Sequence, residues 1–252
     1  MTGFLAMVTC QLKVVMSRPM NLVTGLVSPA VWMVLVMLPR LDRLTPEQAT
    51  QAFSGVLLAS FWGASLWSGA GIIRRERQSG TLGVSFTGRL SPLMVLVGKT
   101  VGGVLYDTCL ILATNTAFVL ALGIPVRVAS PMALAVGLLT VLAGGVASSL
   151  MIGACLMLTK HAFQLTTAVG APVLFFAGTI IPYDQLPTWV AWVGSVLNIS
   201  WLQRFLASTA THPRWDLWAA AASISVLYAL VGAKALQVLL RRARKEATLE
   251  LG

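Results

Sequence analysis

The feature that most constrains this chain is a series of apolar runs, each long enough to cross a bilayer. Examples are Ala52–Ile73, Met132–Leu158 and Asp216–Leu240. About 20 apolar residues in helical form span roughly 30 Å of hydrocarbon. Inside that layer every backbone donor and acceptor must be satisfied within the segment or by a closed barrel. Unbroken runs of this length, without two-residue alternation, point to helices. Only 10% of the residues are charged and the mean hydropathy is +0.82, against about 25% charged in a soluble domain. The expected fold class is an all-α membrane protein, one domain over residues 1–252.

Residues 2–19 come first. Phe4, Leu5, Val8, Leu12, Val15 and Met16 recur at three- and four-residue steps, which suits an amphipathic helix in the headgroup region or a lead-in to the first span. The first span is expected from Asn21 to Leu38, kinked at Pro29. Thr45-Pro46-Glu47-Gln48 reads as a capped helix start. In the second span Ser60, Ala64 and Ser68 form a small-residue face, and Gly69-Ala70-Gly71 reads as a flexible exit. Ser91-Pro92 opens the third span and Ser130-Pro131 the fourth, where Gly145, Ser149 and Gly153 mark close packing. The fifth, Phe163–Ile181, contains Pro172 and Gly178 and is expected to be broken or bent. Between Pro182 and Trp215, aromatics mix with Asn198, Gln203 and Arg204, as in short helices at the membrane boundary. A sixth span follows, then Arg241, Arg242, Arg244 and Lys245. Cys10, Cys109 and Cys155 form no C-x-x-C pair and read as small packing residues. No removable signal peptide is evident.

Six spans put both termini on one side. The N-terminal segment, the charged interval Arg74–Lys99, the fourth-to-fifth turn and the tail hold twelve Lys or Arg, and the opposite loops hold five. The positive-inside rule makes the richer side cytoplasmic. The sequence pI of about 10.4 therefore reflects topology, and no basic soluble face exists to bind nucleic acid.

No phosphate-binding G-x-x-x-x-G-K-[ST] motif occurs, nor H-E-x-x-H, nor a serine–histidine–acid set. The chain is expected to bind no cofactor and no metal and to catalyse no reaction of its own. Two ionisable residues lie inside expected spans, where charge is costly. Asp107 is roughly 12 Å past Lys99 along the helix, and Lys234 about 10 Å before Arg241. At similar depth the two could pair. Alternatively, Lys234 snorkels to the headgroups and Asp107 bonds a neighbour.

Two passages carry a family resemblance. The first is Glu76-Arg77-Gln78-Ser79-Gly80-Thr81-Leu82, then Ser91-Pro92 and Gly98-Lys99. The second is Phe176-Ala177-Gly178-Thr179-Ile180-Ile181-Pro182, then Leu186-Pro187, Trp189 and Asn198. In order and at this spacing they resemble the type-2 permease family of ATP-binding-cassette (ABC) exporters. Gly83 departs from the pattern, standing where the family commonly has Glu, and Asn198-Ile199 replaces a frequent Asn-Pro. The resemblance implies a dimer, homo- or heteromeric, in the cell membrane of a bacterium. Each copy would dock a separate ABC ATPase, which binds the ATP and magnesium.

It further implies that residues 74–91 form a coupling helix, with Arg74, Arg75, Glu76, Arg77, Gly80, Thr81, Leu82 and Phe86 as contacts. Leu82 and Phe86, one turn apart, would fill an apolar notch. Residues 182–215, with Pro182, Pro187 and Trp189, would form an extracytoplasmic gate segment. Phe61, Trp62, Phe175 and Phe176 are candidate substrate contacts. The expected cargo is a hydrophobic or amphipathic drug, antibiotic or lipid-like molecule, with a lipid-linked glycan as the alternative. An ATP-independent secondary transporter is the reading from a different class.

Overall fold

Three helix starts carry the same local chemistry. A hydroxyl at the cap accepts from the backbone N–H three residues on, and a proline follows where its missing N–H costs nothing. Thr45 Oγ1 accepts from Gln48 N at 3.3 Å, and Gln48 Oε1 accepts in return from Thr45 N at 3.1 Å. Ser91 Oγ accepts from Met94 N and Ser130 Oγ from Ala133 N, both at 3.3 Å. Two helix ends are as explicit. Gly123 and Gly178 adopt φ of 60° and 73°, and the next residues, Ile124 and Thr179, donate back to Val119 and Leu174. This is the left-handed glycine stop that satisfies a helix's last carbonyls.

The computed structural model describes residues 2–78, 90–159 and 161–245. All regular elements among them are helical. They are α1 (Thr2–Met16), α2 (Pro19–Trp32), α3 (Pro46–Ala64), α4 (Gly71–Gln78), α5 (Pro92–Ala121), α6 (Pro131–Met157), α7 (Ala162–Phe176), α8 (Thr188–Gly194), α9 (Asn198–Ser208) and α10 (Trp215–Lys245). Stretches within Pro92–Ala121, Pro131–Met157 and Trp215–Arg242 are long and apolar enough to cross a membrane, and shorter apolar helices occupy 3–16, 25–40 and 164–176. The protein is thus a multi-pass, all-helical membrane protein.

Four expectations change. The second apolar run does not loosen at Gly69-Ala70-Gly71: a π-turn over Ser65–Ala70 leads directly into α4. A second π-turn, Met33–Met37, begins one turn after Pro29, so the disturbance of that helix falls downstream of the proline. Pro172 lies within a continuous α7, which ends at Phe176 and the Gly178 stop rather than at Ile181. The three cysteines are free and exposed rather than packed, since each occupies an outward helix face.

α1 lies along the start of α5, burying Val8, Gln11 and Val15 and leaving Leu5 and Met16 outside. Gln11 turns inward because Gly102 leaves room: a Cβ there would meet Val8 O and Gln11. The main core joins Leu57, Leu58, Phe61, Trp62 and Leu66 to Val104, Ile111, Val141, Leu174, Ile199 and Leu202. α10 packs chiefly on α6, and α9 sits against α3, α6 and α10.

Candidate functional site

The charged interval begins as helix. α4 continues the α3 path and places Glu76 Oε1 at 2.7 Å from Lys99 Nζ on α5, with the two side chains 15% and 18% exposed. That shielding puts the pair between exposed ion pairs, worth about 0.2–1 kcal/mol, and fully buried ones. Arg75 folds back, its Nη1 donating to Trp67 O at 2.8 Å. Toward the interior, Ile72 on α4 belongs to an apolar cluster with Leu96 of α5, Leu150 and Ala154 of α6, and Leu236 and Leu240 of α10. The short α4 packs on α5 and α6, and the cluster extends from there to α10.

Arg75 and Glu76 are thus committed to partners within this chain. Arg74 and Arg77 lie on α4, but their side chains are outside those described. Gly80, Thr81, Leu82 and Phe86 lie outside the described residues altogether.

The other end of the α3 path is closed by the connection before α10. Pro182 and Pro187 immediately precede a 3₁₀ turn, Tyr183–Gln185, and α8, so this connection does form short helices. Trp189 is 63% exposed and meets Phe176 edge to face, with ring centroids 6.2 Å apart. Phe176 in turn meets Phe175 at 5.7 Å. Arg204 stacks on Tyr183 and Trp201, 4.4 and 4.8 Å from the ring centroids. Asn198, buried at the start of α9, donates to Gly144 O at 3.3 Å, Ser148 Oγ at 3.2 Å and Ser225 Oγ at 3.1 Å, which ties α9 to α6 and α10.

The four candidate substrate aromatics separate. Phe61 and Trp62 are core residues. Phe61 seats on Gly145, where any Cβ would collide with its ring, and Trp62 Nε1 donates to Gly170 O at 3.2 Å. Phe175 is 38% exposed and Phe176 half-buried. Asp107 and Lys234 do not pair: Asp107 is buried, whereas Lys234 stands exposed on α10, as a snorkelling lysine would. Among the described residues, no three His, Cys, Asp or Glu gather to hold a metal ion.

A polar cavity was not foreseen. It measures about 380 Å³ and lies at the Pro182 end. Its lining includes Arg40, Arg43, Gln48, Gln51, Thr179, Gln185 and Gln203. Gln203 was visible only as a polar residue in an aromatic stretch, and its inward direction follows from the packing of α9 on α3.

The family model for the ABC-2 type transporter matches residues 2–211. The chain belongs to that family. The matched region holds both ends just described, and α10 begins beyond it. No curated protein and no solved structure matches the chain. As an ABC-2 permease it is the membrane subunit of an ABC transporter, and ABC-2 permeases work with ATP-binding subunits.

Proposed function

We propose that this ABC-2 permease exports a hydrophobic or amphipathic molecule, a drug, antibiotic or lipid-like compound, from the cell. ATP and magnesium are bound and used on a separate ATPase docked against residues 74–91. Two permease copies, identical or paralogous, assemble in the plasma or inner membrane with both termini cytoplasmic, and six passes complete each copy.

The observation that carries this reading is the linkage of α4 to α5, α6 and α10 through Glu76–Lys99 and the Ile72 cluster. A segment pushed by a nucleotide cycle needs such a route into the bundle. Leu82 and Phe86 are the apolar docking contacts, with Arg74, Arg77, Gly80 and Thr81 as the further coupling contacts. Substrate moves along the exposed face that carries Phe175 and Phe176. Pro182, Pro187 and Trp189 gate the extracytoplasmic end.

The test is co-purification of the permease with the ATPase and export from vesicles. Leu82→Asp and Phe86→Asp are expected to release the ATPase and abolish ATP-dependent export while leaving the permease folded in the membrane. Export driven by a proton gradient without ATP would overturn the proposal in favour of a secondary transporter.

A further inference from the structure

The polar cavity at the Pro182 end combines three properties. Its rim carries Arg40 and Arg43, and among the residues whose side chains are described its lining holds no carboxylate. Neither arginine is in an ion pair among the described residues. Uncharged polar groups of Gln48, Gln51 and Gln185 share the rest of the wall with apolar Val36, Ala52 and Ile180.

Gln203 supplies the independent observation. It is 4% exposed and lines the cavity. Its Nε2 donates to Gln51 O at 3.0 Å, while its Oε1 is buried and accepts no hydrogen bond among the described residues. An acceptor left desolvated is destabilising, and a donor arriving in the cavity removes that penalty. The cavity volume falls within the roughly 300–1,000 Å³ range of small-molecule sites.

We propose that this cavity binds an anionic head group that also carries a hydroxyl, such as the phosphate ester of glycerol or another polyol. The two guanidinium groups engage the phosphate, for which their planar donor forks are suited. The hydroxyl donates to Gln203 Oε1, and the Val36, Ala52 and Ile180 part of the lining accepts the start of an acyl chain where one is present. The site is independent of the direction of transport and of the ATPase, since all its residues lie at the end of α3 away from Glu76.

The full chain in neutral detergent is titrated calorimetrically with dihexanoyl phosphatidylglycerol, with dihexanoyl phosphatidylcholine, which has the same tails but no free hydroxyl or net charge, and with glycerol 1-phosphate. Saturable binding of the phosphatidylglycerol, at least tenfold tighter than the phosphatidylcholine, is expected. Arg40→Gln and Arg43→Gln should each weaken it at least fivefold, and Gln203→Leu at least tenfold. Arg127→Gln, at the same end but outside the lining, should leave it unchanged. If Gln203→Leu also lowers the melting temperature, the two exposed arginine variants decide. Glycerol 1-phosphate binding as tightly as the lipid identifies a site for the free head. Binding of the lipid alone identifies a lipid site, and either result upholds the proposal. Equal affinity for the two lipids, wild-type affinity in both arginine variants, or an equal loss in Arg127→Gln overturns it.

Discussion

At the Glu76 end, a single ion pair covers a layer of Ile72, Leu96, Leu150, Leu236 and Leu240. At the Pro182 end, α9 is held by directed hydrogen bonds from Asn198, Gln203 and Trp201 to backbone and hydroxyl oxygens, with Arg204 clamped between two rings. Apolar layers tolerate small sliding motions, because contact area changes little as leucines shift. A three-acceptor amide does not, because each bond fails within a few tenths of an ångström and at poor angles. The first end is suited to shift as a layer when its charge pair is disturbed, and at the second α9 is the fixed element beside which the Pro182–Trp189 segment sits.

The largest test of this contrast is Asn198→Leu, which keeps the branched heavy-atom shape and removes every side-chain bond that Asn198 makes. It should cost about 2–3 kcal/mol, read as a lower thermal midpoint in detergent, with α9 amides exchanging faster than those of α5. If the midpoint is unchanged, the node is not what fixes this end. Next is a cycle of Glu76→Gln, Lys99→Met and the double variant. Each single change should lower stability by about 1–2 kcal/mol, and the double by less than their sum. ATP-dependent export should fall further than stability alone explains, and additive costs would show that the two residues act separately. The smallest effect is expected from Arg214→Gln. Arg214 pairs with Asp216 at 2.7 Å, but both side chains are about three-fifths exposed, and screening leaves such pairs nearly neutral. A shift in the midpoint comparable to that of Glu76→Gln would erase the distinction between the two kinds of charge pair.

The punctuation of the fold was legible in the sequence. Thr45, Ser91 and Ser130, each followed by proline, mark helix starts by local chemistry alone, whereas the stop at Gly178 falls short of the expected end at Ile181. The faces were harder. Ser60, Ala64 and Ser68 were expected to make the close approach, yet it runs through Phe61, Ser65 and Gly69 against Gly145 and Ser149, with Ser149 Oγ donating to Ser65 O at 3.0 Å. In a helix apolar all round, no polar side identifies which stripe turns inward. The same ambiguity misplaced the Asp107–Lys234 pairing: spacing along the chain gives depth, but not the direction in which Lys234 points around α10. The cavity with Gln203, Arg40 and Arg43 draws on residues far apart in sequence, and no local pattern joins them.

The π-turn at Ser65–Ala70 has a consequence for the phase of everything beyond it. A wide turn accommodates one residue more than the α-helical path around it, and each residue of an α-helix advances the direction of its side chain by about 100°. Residues 71–78 are therefore set a step out of register with the stripe that Phe61 and Ser65 begin. The same residues wound as α-helix throughout would have the same composition, apolar length and charges. They would carry the Glu76 carboxylate roughly a quarter-turn around the axis, away from Lys99. The alignment of the charged end with its helices is thus stored as a count of residues in one turn of backbone, upstream of every side chain that uses it.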